Sequence, residues 1–303
     1  MAVTFAQAAA LVADPVRRGA IETAAQVSWV WDRMPFENIE GNSYAYDKDK
    51  VLPGTAFRTV NEAYIESTGV INQDVESLVI LGGDADVDRF IERTMGSSRG
   101  VLLADQIRMK LESAQSTYVD AMFNGDVNVN PKGFDGLKKR LLGDQVIDST
   151  AAADSEAFLD DLDTLFSAVD GGPDAVYAPA DLIGRLKSLG RKVGGAEYIN
   201  SEITGKREFT WNGVSFIDPG NHWSGRKIIP NGSGDVYAVK FANGFNQVGV
   251  MGIQNGALDC YVLGELQEKP AFRARIDYYP GLVVQGGRAA ARLRGVELVT
   301  DSV

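Results

Sequence analysis

The stretch VLLADQIRMKLESAQSTYVDAMFNGDVNVNPKGFDGL, residues 101–137, decides the fold of this 303-residue chain. Apolar side chains recur along it at steps of three or four, which predicts one amphipathic helix from about Val101 to Asn124. At a rise of roughly 1.5 Å per residue, the helix is a rod of about 36 Å. A long helix with one narrow apolar stripe is typical of a rod that packs against a sheet. The stripe consists of Leu103, Ile107, Leu111, Ala114, Tyr118 and Met122.

Upstream of this helix, from about Glu40 to Leu81, the sequence has no helical periodicity. Residues 43–47, 56–60 and 76–81 are extended in pattern and Pro53-Gly54 is a turn signal, which predicts a long two-stranded hairpin. The middle of the hairpin is too polar to bury a face of its own, and such a ribbon is marginally stable alone in water. It is therefore a mobile flap or an arm that lies on another molecule, and we favour the arm.

The acidic residues between the hairpin and the long helix have two interpretations. Asp84 or Asp86 is predicted to cap a short helix that precedes the rod. The spacing Asp84-x-Asp86-x-Asp88 also resembles the start of a calcium loop. However, Arg89 stands where that loop needs glycine, and Met95 stands where it needs a bidentate glutamate. We therefore predict helix capping and no metal site.

The second half of the chain indicates alternating helices and strands. Asn212-Gly213 lies between apolar residues and predicts a tight hairpin over 209–216 with a type I′ turn. A long glycine-containing loop is predicted for 190–206. The other predicted elements are helices at 158–169 and 179–189 and strands at 175–178, 236–239 and 272–278, with 282–284 and 289–298 completing the chain.

The first 36 residues mix short helical stretches with breaks. Thr4 can cap a helix that runs through Ala13 before Asp14-Pro15 interrupts it. No basic residue precedes this apolar run, so we expect it to belong to the mature chain rather than to a secretory signal. Trp29 and Trp31 need a surface to pack against, which is either the protein's own core or a neighbouring subunit.

Composition excludes several classes of function. The net charge is −11 and the basic residues form no cluster, which argues against a surface that reads duplex DNA. The single cysteine, Cys260, cannot form an intrachain disulfide, and the single histidine, His222, has no second ligand at metal-binding spacing. No nucleotide-binding fingerprint or apolar run of membrane-spanning length is present. We expect no catalytic residues, no cofactor and no metal.

The order of the parts resembles the major capsid (coat) proteins of tailed bacteriophages, which have the Hong Kong 97 fold. The local motif that carries this resemblance is the Gly125-Asp126 turn after the long helix, followed by Gly133-Phe134-Asp135-Gly136-Leu137. The resemblance implies an α+β fold with an N-terminal arm, an extended loop, a peripheral domain with a spine helix, and an axial α/β domain. The implied bounds are 1–36 for the arm, 37–83 for the loop, 84–137 and 257–279 for the peripheral domain, and 138–256 and 280–303 for the axial domain.

This resemblance also implies a function. The chain would assemble with itself into pentamers and hexamers of an icosahedral phage head that encloses double-stranded DNA without reading its sequence. Portal protein and possible separate scaffolding or decoration proteins would be its partners, with no membrane involved. The virion would be its location, after assembly in the host cytoplasm. The residues expected at subunit contacts are Trp29, Trp31, Tyr44, Tyr46, Lys48, Lys50, Phe57 and Arg58.

Two departures from the family pattern stand out. Some relatives carry a scaffolding segment of about a hundred residues ahead of the arm, whereas this chain begins almost directly with the arm, which implies a separate scaffolding protein or none. Some relatives crosslink subunits through a lysine and an asparagine; Lys48, Lys50 and Asn255 stand in comparable places, but no matching catalytic glutamate is apparent. Two alternatives stay open: an encapsulin-like nanocompartment shell, and an unrelated α/β enzyme with the hairpin as a lid.

Overall fold

The computed structural model describes residues 33–51, 53–94, 99–150, 155–193, 196–200, 207–232, 234–245 and 247–296. The expectations for the helix at Thr4–Ala13 and for Trp29 and Trp31 lie outside these residues.

Helix α1 (Arg89–Thr94) precedes helix α2 (Arg99–Asn124), and α2 confirms the predicted rod. The buried face follows the 3.6-residue period, but Gln115 occupies it where the pattern placed Ala114, which is only half-buried. Among the side chains of α2 that the structure describes, residues 105–124, the buried ones are Ile107, Leu111, Gln115, Tyr118, Val119, Met122 and Phe123.

The face of α2 packs against a three-stranded sheet of β4 (Leu81–Asp88), β12 (Asp259–Glu265) and β13 (Ala271–Tyr278). β13 is the central strand and pairs antiparallel with both neighbours. From Phe272 to Tyr278, buried side chains of β13 alternate with partly exposed ones, as the sequence predicted. This sheet and α2 together contribute much of the larger of the hydrophobic clusters.

The predicted helix cap at Asp84 or Asp86 is wrong, because both residues lie in strand β4. Asp84 is opposite Arg275 and Asp86 is opposite Arg273 in β13, and each carboxylate accepts two hydrogen bonds from its guanidinium, at 2.7 and 2.9 Å. Aspartate and glycine are poor strand formers, and these cross-strand pairs offset that preference. The short helix α1 begins only at Arg89, where the Asp88 carboxylate accepts a hydrogen bond from the amide of Phe90.

A seven-stranded sheet, in the order β5-β15-β10-β6-β9-β8-β7, separates two hydrophobic clusters. Its strands are β5 (Val146–Asp148), β6 (Ala175–Tyr177), β7 (Ala196–Asn200), β8 (Arg207–Trp211), β9 (Val214–Ile217), β10 (Val236–Val239) and β15 (Ala290–Arg294). Helices α4 (Ser155–Ser167) and α5 (Ala180–Val193) pack into one of these clusters, and the short helix α3 (Leu137–Arg140) packs into the other.

The turn between β8 and β9 confirms the predicted type I′ hairpin, since Asn212 and Gly213 both have positive φ, 50° and 78°. The predicted loop at 190–206 is partly wrong: α5 extends to Val193, and Ala196–Asn200 forms the edge strand β7 on β8. The glycine-rich sequence carries little local strand signal. Strand β7 is held instead by its backbone pairing with β8, which satisfies the hydrogen-bonding groups of its main chain.

A third sheet joins distant parts of the chain. Strand β1 (Phe36–Asn38) pairs in parallel with β11 (Gly249–Gln254), which pairs antiparallel with β14 (Pro280–Gln285). Beside it stands a two-stranded ribbon of β2 (Ser43–Val51) and β3 (Val70–Ser77). The ribbon confirms the predicted hairpin. The strand bounds differ, because residues 56–60 lie in the loop at its tip and the return strand begins at Val70 rather than at Glu76.

Candidate assembly surface

The root of the ribbon is anchored to the body through one face. Tyr44 is opposite Glu76 and Tyr46 is opposite Asp74, so these four side chains share that face. Tyr46 is 3% exposed and its hydroxyl donates to the carbonyl of Val284 at 3.2 Å. Burial, with the Glu76 carboxylate as a second cause, raises the pKa of Tyr46 to about 12.

Aromatic and aliphatic contacts complete this anchor. The rings of Tyr44 and Tyr46 stack with centroids 5.9 Å apart, and Tyr44 also lies 5.1 Å from the ring of Phe245. Tyr46 belongs to a small buried cluster with Ile39, Ala242, Met251, Ile253 and Val283. The root of the hairpin therefore packs against the chain's own core.

An ion pair holds the same face from the opposite strand. The two terminal guanidinium nitrogens of Arg140 on α3, Nη1 and Nη2, donate to the two carboxylate oxygens of Glu76 on β3, with Nη2 to Oε2 at 2.8 Å. The side chains are only 15% and 19% exposed. Such a bidentate pair fixes orientation as well as distance.

Arg140 is itself held by the segment that follows the long helix. Its Nε donates to the carbonyl of Asp135. The carboxylate of Asp135 accepts hydrogen bonds from the amide of Val127 and from Lys139 Nζ, both at 2.8 Å, and Lys139 also reaches Asp126 at 2.6 Å. The Lys139 ammonium, together with a backbone amide, holds the pKa of Asp126 below its usual value.

The glycines of the Gly-Asp turn and the Phe-Asp-Gly-Leu segment allow a close approach of two backbones. The amide of Gly136 donates to the carbonyl of Gly125 at 2.9 Å. A Cβ on Gly125 would lie 2.3 Å from the carbonyl oxygen of Phe134, and one on Gly136 would lie 2.5 Å from that of Ala121. The buried side chains of Phe134 and Leu137 fix the segment in the core. We refer to residues 125–140 as the mount.

The tip of the hairpin, residues 53–69, has the opposite character. Its large apolar residues Phe57, Val60, Tyr64 and Ile65 are each at least 68% exposed. Polar contacts within the loop keep its shape. Gly54 N donates to Ser67 Oγ at 2.9 Å, and the Arg58 guanidinium lies 4.9 Å from the centre of the Tyr64 ring.

The turn at the end of the tip is closed by one glutamate. The amide and hydroxyl of Thr59 donate to Glu62 Oε2 at 2.9 and 2.8 Å, and both bonds lower the pKa of that carboxyl group. The two sides of the loop flank an open groove of about 580 Å³ lined by residues 54–56 and 64–67. Exposed apolar clusters of this kind mark surfaces that another molecule covers.

The structure places the predicted contact residues at both ends of the hairpin. Tyr44 and Tyr46 lie at the root, and Phe57 and Arg58 lie at the tip. Lys48 and Lys50 lie in β2, and their side chains fall outside the described part of the structure. Their roles in assembly stay predictions.

Sequence reasoning missed the pair of Glu76 and Arg140. The available signals were the basic run Lys138-Lys139-Arg140 after a buried leucine and the alternation of polar residues along β3. Neither signal points to its partner 64 residues away.

Other candidate sites offer little chemistry. His222 Nδ1 lies 2.8 Å from Ser224 Oγ in an exposed turn, and Cys260 is buried in β12. The side-chain Nδ2 of Asn255 donates to the carbonyl of Gly41 at 2.8 Å. No group of His, Cys, Asp or Glu in the described residues is placed to hold a metal ion. Along the same residues, no helix combines the length and apolarity needed to cross a bilayer.

No protein-family model and no curated protein matches this sequence. Solved structures do match it. An encapsulin complex from Synechococcus elongatus is 18% identical with a TM-score of 0.67, covering 91% of this chain and 89% of that one. A structure from Mycobacterium phage Bobi is 13% identical with a TM-score of 0.64, covering 88% of this chain and 90% of that one. The capsid of an empty GTA particle is 15% identical with a TM-score of 0.62, covering 88% and 89%. At these identities the likeness shows the fold.

Proposed function

We propose that this chain, which has the Hong Kong 97 fold of phage capsids and encapsulins, is a major capsid protein that builds an icosahedral phage head. In this proposal it forms pentamers and hexamers and encloses double-stranded DNA. The observation that carries the proposal is the hairpin: its root is buried in the chain's own core, whereas its tip presents four large apolar side chains to water.

The physical argument rests on how identical subunits close a shell. Each copy must offer one surface that fits a different surface of its neighbour, and the contact must recur until the ring closes. A projecting hairpin gives each subunit such reach. Burial of its apolar tip lowers the free energy, and this burial requires a second copy that covers the tip. The net charge of −11 suits a container that does not bind its DNA tightly.

The finer points stay part of the proposal. Residues 84–137 and 257–279 would form the peripheral domain, and 138–256 and 280–303 the axial domain. Portal protein would join the shell, with scaffolding or decoration proteins as further partners. Assembly would occur in the host cytoplasm, and the finished protein would reside in the virion.

A second candidate is a cellular nanocompartment shell, since an encapsulin complex is among the similar structures, with a TM-score of 0.67. The two functions share the assembly step and differ in their contents. One holds nuclease-protected DNA, and the other holds protein cargo.

The test is electron microscopy of the full chain expressed alone and together with the other head genes of its source. Closed shells or rings of five and six support assembly. Nuclease-protected DNA inside particles from the native source supports the phage head, and a co-purifying protein cargo without DNA supports the nanocompartment. Monomers or small oligomers under every condition would contradict both and would favour the enzyme with a hairpin lid.

A further inference from the structure

In the part of the chain that the structure describes, the hairpin is attached to the body only at its root, and the rest of it projects away from the body. Among the described side chains of β2, Tyr46 is the last buried one, and Asp47 beyond it is exposed. The roughly eleven residues from Tyr46 to Phe57 span at most about 36 Å at the rise of a strand. A rotation of about 10° at the root therefore moves the tip by roughly 6 Å at that length. The angle at the root decides which surface the tip can meet.

The apolar contacts at the root do not define this angle by themselves. Hydrophobic burial is not directional, and a single hydrogen bond from the Tyr46 hydroxyl to the carbonyl of Val284 leaves rotation about that contact possible. The pair of Glu76 and Arg140 supplies a second point of attachment, on the other strand of the ribbon. Because each terminal guanidinium nitrogen binds one of the two carboxylate oxygens, the pair restrains rotation.

The mount ties this second point to the long helix. Arg140 is held by the carbonyl of Asp135, and Asp135 is held by Val127 and Lys139. The bond from Gly136 to Gly125 attaches this segment to the end of α2. A chain of directional contacts thus runs from the end of α2 to strand β3.

We propose that Arg140 and Glu76 are a positioning pair that sets the angle of the hairpin relative to the long helix, and so sets where the tip meets a second copy. The link to assembly rests on the proposed function. Loss of the pair leaves the cores intact. It changes the direction of the hairpin, and with it the size and regularity of the shells.

The angle is measured directly with two spin labels. In a Cys260→Ser background, Glu66→Cys labels the tip and Met109→Cys labels an exposed position of the long helix α2. Labelled chain is diluted into unlabelled chain, so that the dipolar distances report on single subunits. We expect one narrow distance distribution in the parent. In Arg140→Ala we expect a distribution that is shifted or at least twice as wide.

Matched variants separate positioning from general damage. Lys138→Ala removes an exposed cation from the same helix and should leave the distances unchanged. The exchange of charges, Glu76→Arg with Arg140→Glu, should restore a narrow distribution. Glu76→Gln keeps the shape of the side chain and replaces Arg140→Ala if that variant does not fold.

Particle diameters in negative stain give the second measurement. We expect Arg140→Ala to give a broader range of diameters or open sheets, and the charge exchange to narrow it again. Unchanged distances in Arg140→Ala and Glu76→Gln would overturn the positioning role, even if normal shells form and the proposed function stands. Altered distances in a chain whose parent never assembles would support the positioning role and contradict the proposed function.

Discussion

The two ends of the hairpin differ in how far their aromatic side chains are buried. At the root, Tyr46 is 3% exposed and hydrogen-bonded, whereas at the tip Phe57 is 108% exposed, as open as in an extended chain. The same ribbon therefore satisfies the chain's own fold at one end and leaves apolar surface for another molecule at the other. Substitutions at the root should change stability, and substitutions at the tip should change assembly.

The largest expected effect comes from removing the tip. Replacing residues 52–69 with Asn-Gly joins β2 to β3 through a tight turn and keeps the root intact. We expect closed particles to disappear from micrographs, while the free energy of unfolding changes by less than about 0.5 kcal/mol. Val129→Ser, at another exposed apolar residue, is the control and should assemble normally. Normal shells from the shortened chain would remove the distinction between root and tip.

The next effect concerns the mount that supports the root. Gly136→Ala places a Cβ within 2.5 to 2.9 Å of three backbone atoms, so the segment must shift. We expect a loss of about 1–3 kcal/mol in the free energy of unfolding measured in urea. Gly184→Ala in α5 is the matched control, since nothing lies within 4 Å of the added Cβ, and it should be neutral or stabilising. Equal effects of the two changes would contradict the close approach.

A smaller effect is expected for the hydroxyl at the root. Tyr46→Phe removes one buried hydrogen bond and should cost about 1 kcal/mol. The folded-state pKa of about 12 lies above the ordinary value of 10.0, so the contribution of the neutral hydroxyl is complete below pH 10 and is lost as the pH rises through 12. Urea unfolding of both proteins from pH 8 to 11.5 checks this. The stability difference should shrink above pH 10, and a constant difference would exclude the titration.

The smallest effect should have the opposite sign. Gln115 is 1% exposed within the buried face of α2, and its side-chain nitrogen and oxygen lack hydrogen-bond partners in the described structure. Gln115 is thus the opposite case to the tip: the tip exposes apolar side chains to water, whereas Gln115 buries a polar side chain in an apolar core. Gln115→Leu should be neutral or stabilise the fold by up to about 1 kcal/mol in thermal unfolding. A clear destabilisation would show that the amide has a partner, such as a buried water.

The sequence predicted the elements whose period or turn chemistry is local. Helix α2 extends two residues beyond its predicted start, and the Asn212-Gly213 turn is as expected. The comparisons confirm the fold class that the resemblance implied. The helix cap predicted at Asp84 or Asp86 is wrong, because the arginines that pair with these aspartates in strand β4 are nearly two hundred residues away in the sequence. Strand β11, which is buried on both faces, has no alternating pattern to reveal it.

In the candidate site too, some features could be predicted from local sequence and others depend on distant residues. Exposed tip residues such as Phe57 could be predicted, because a polar segment with isolated apolar residues has no core of its own. The root could not be predicted to the same depth. The partners of Tyr46 and Glu76 are Val284 and Arg140, and only the folded chain brings them together. Local patterns predict which residues lack a partner within a segment and do not identify the partner.

The backbone hydrogen bond between Gly136 and Gly125 has a consequence for how this chain can change over evolution. It closes a loop whose outermost residues, such as Val129 and Lys132, are exposed. Both ends of the loop are fixed, and the entropy cost of a longer loop grows only slowly with its length. A peptide inserted between Pro131 and Lys132 would therefore be carried without disturbing the helix below. A lineage could add or exchange sequence here while the framework stays the same.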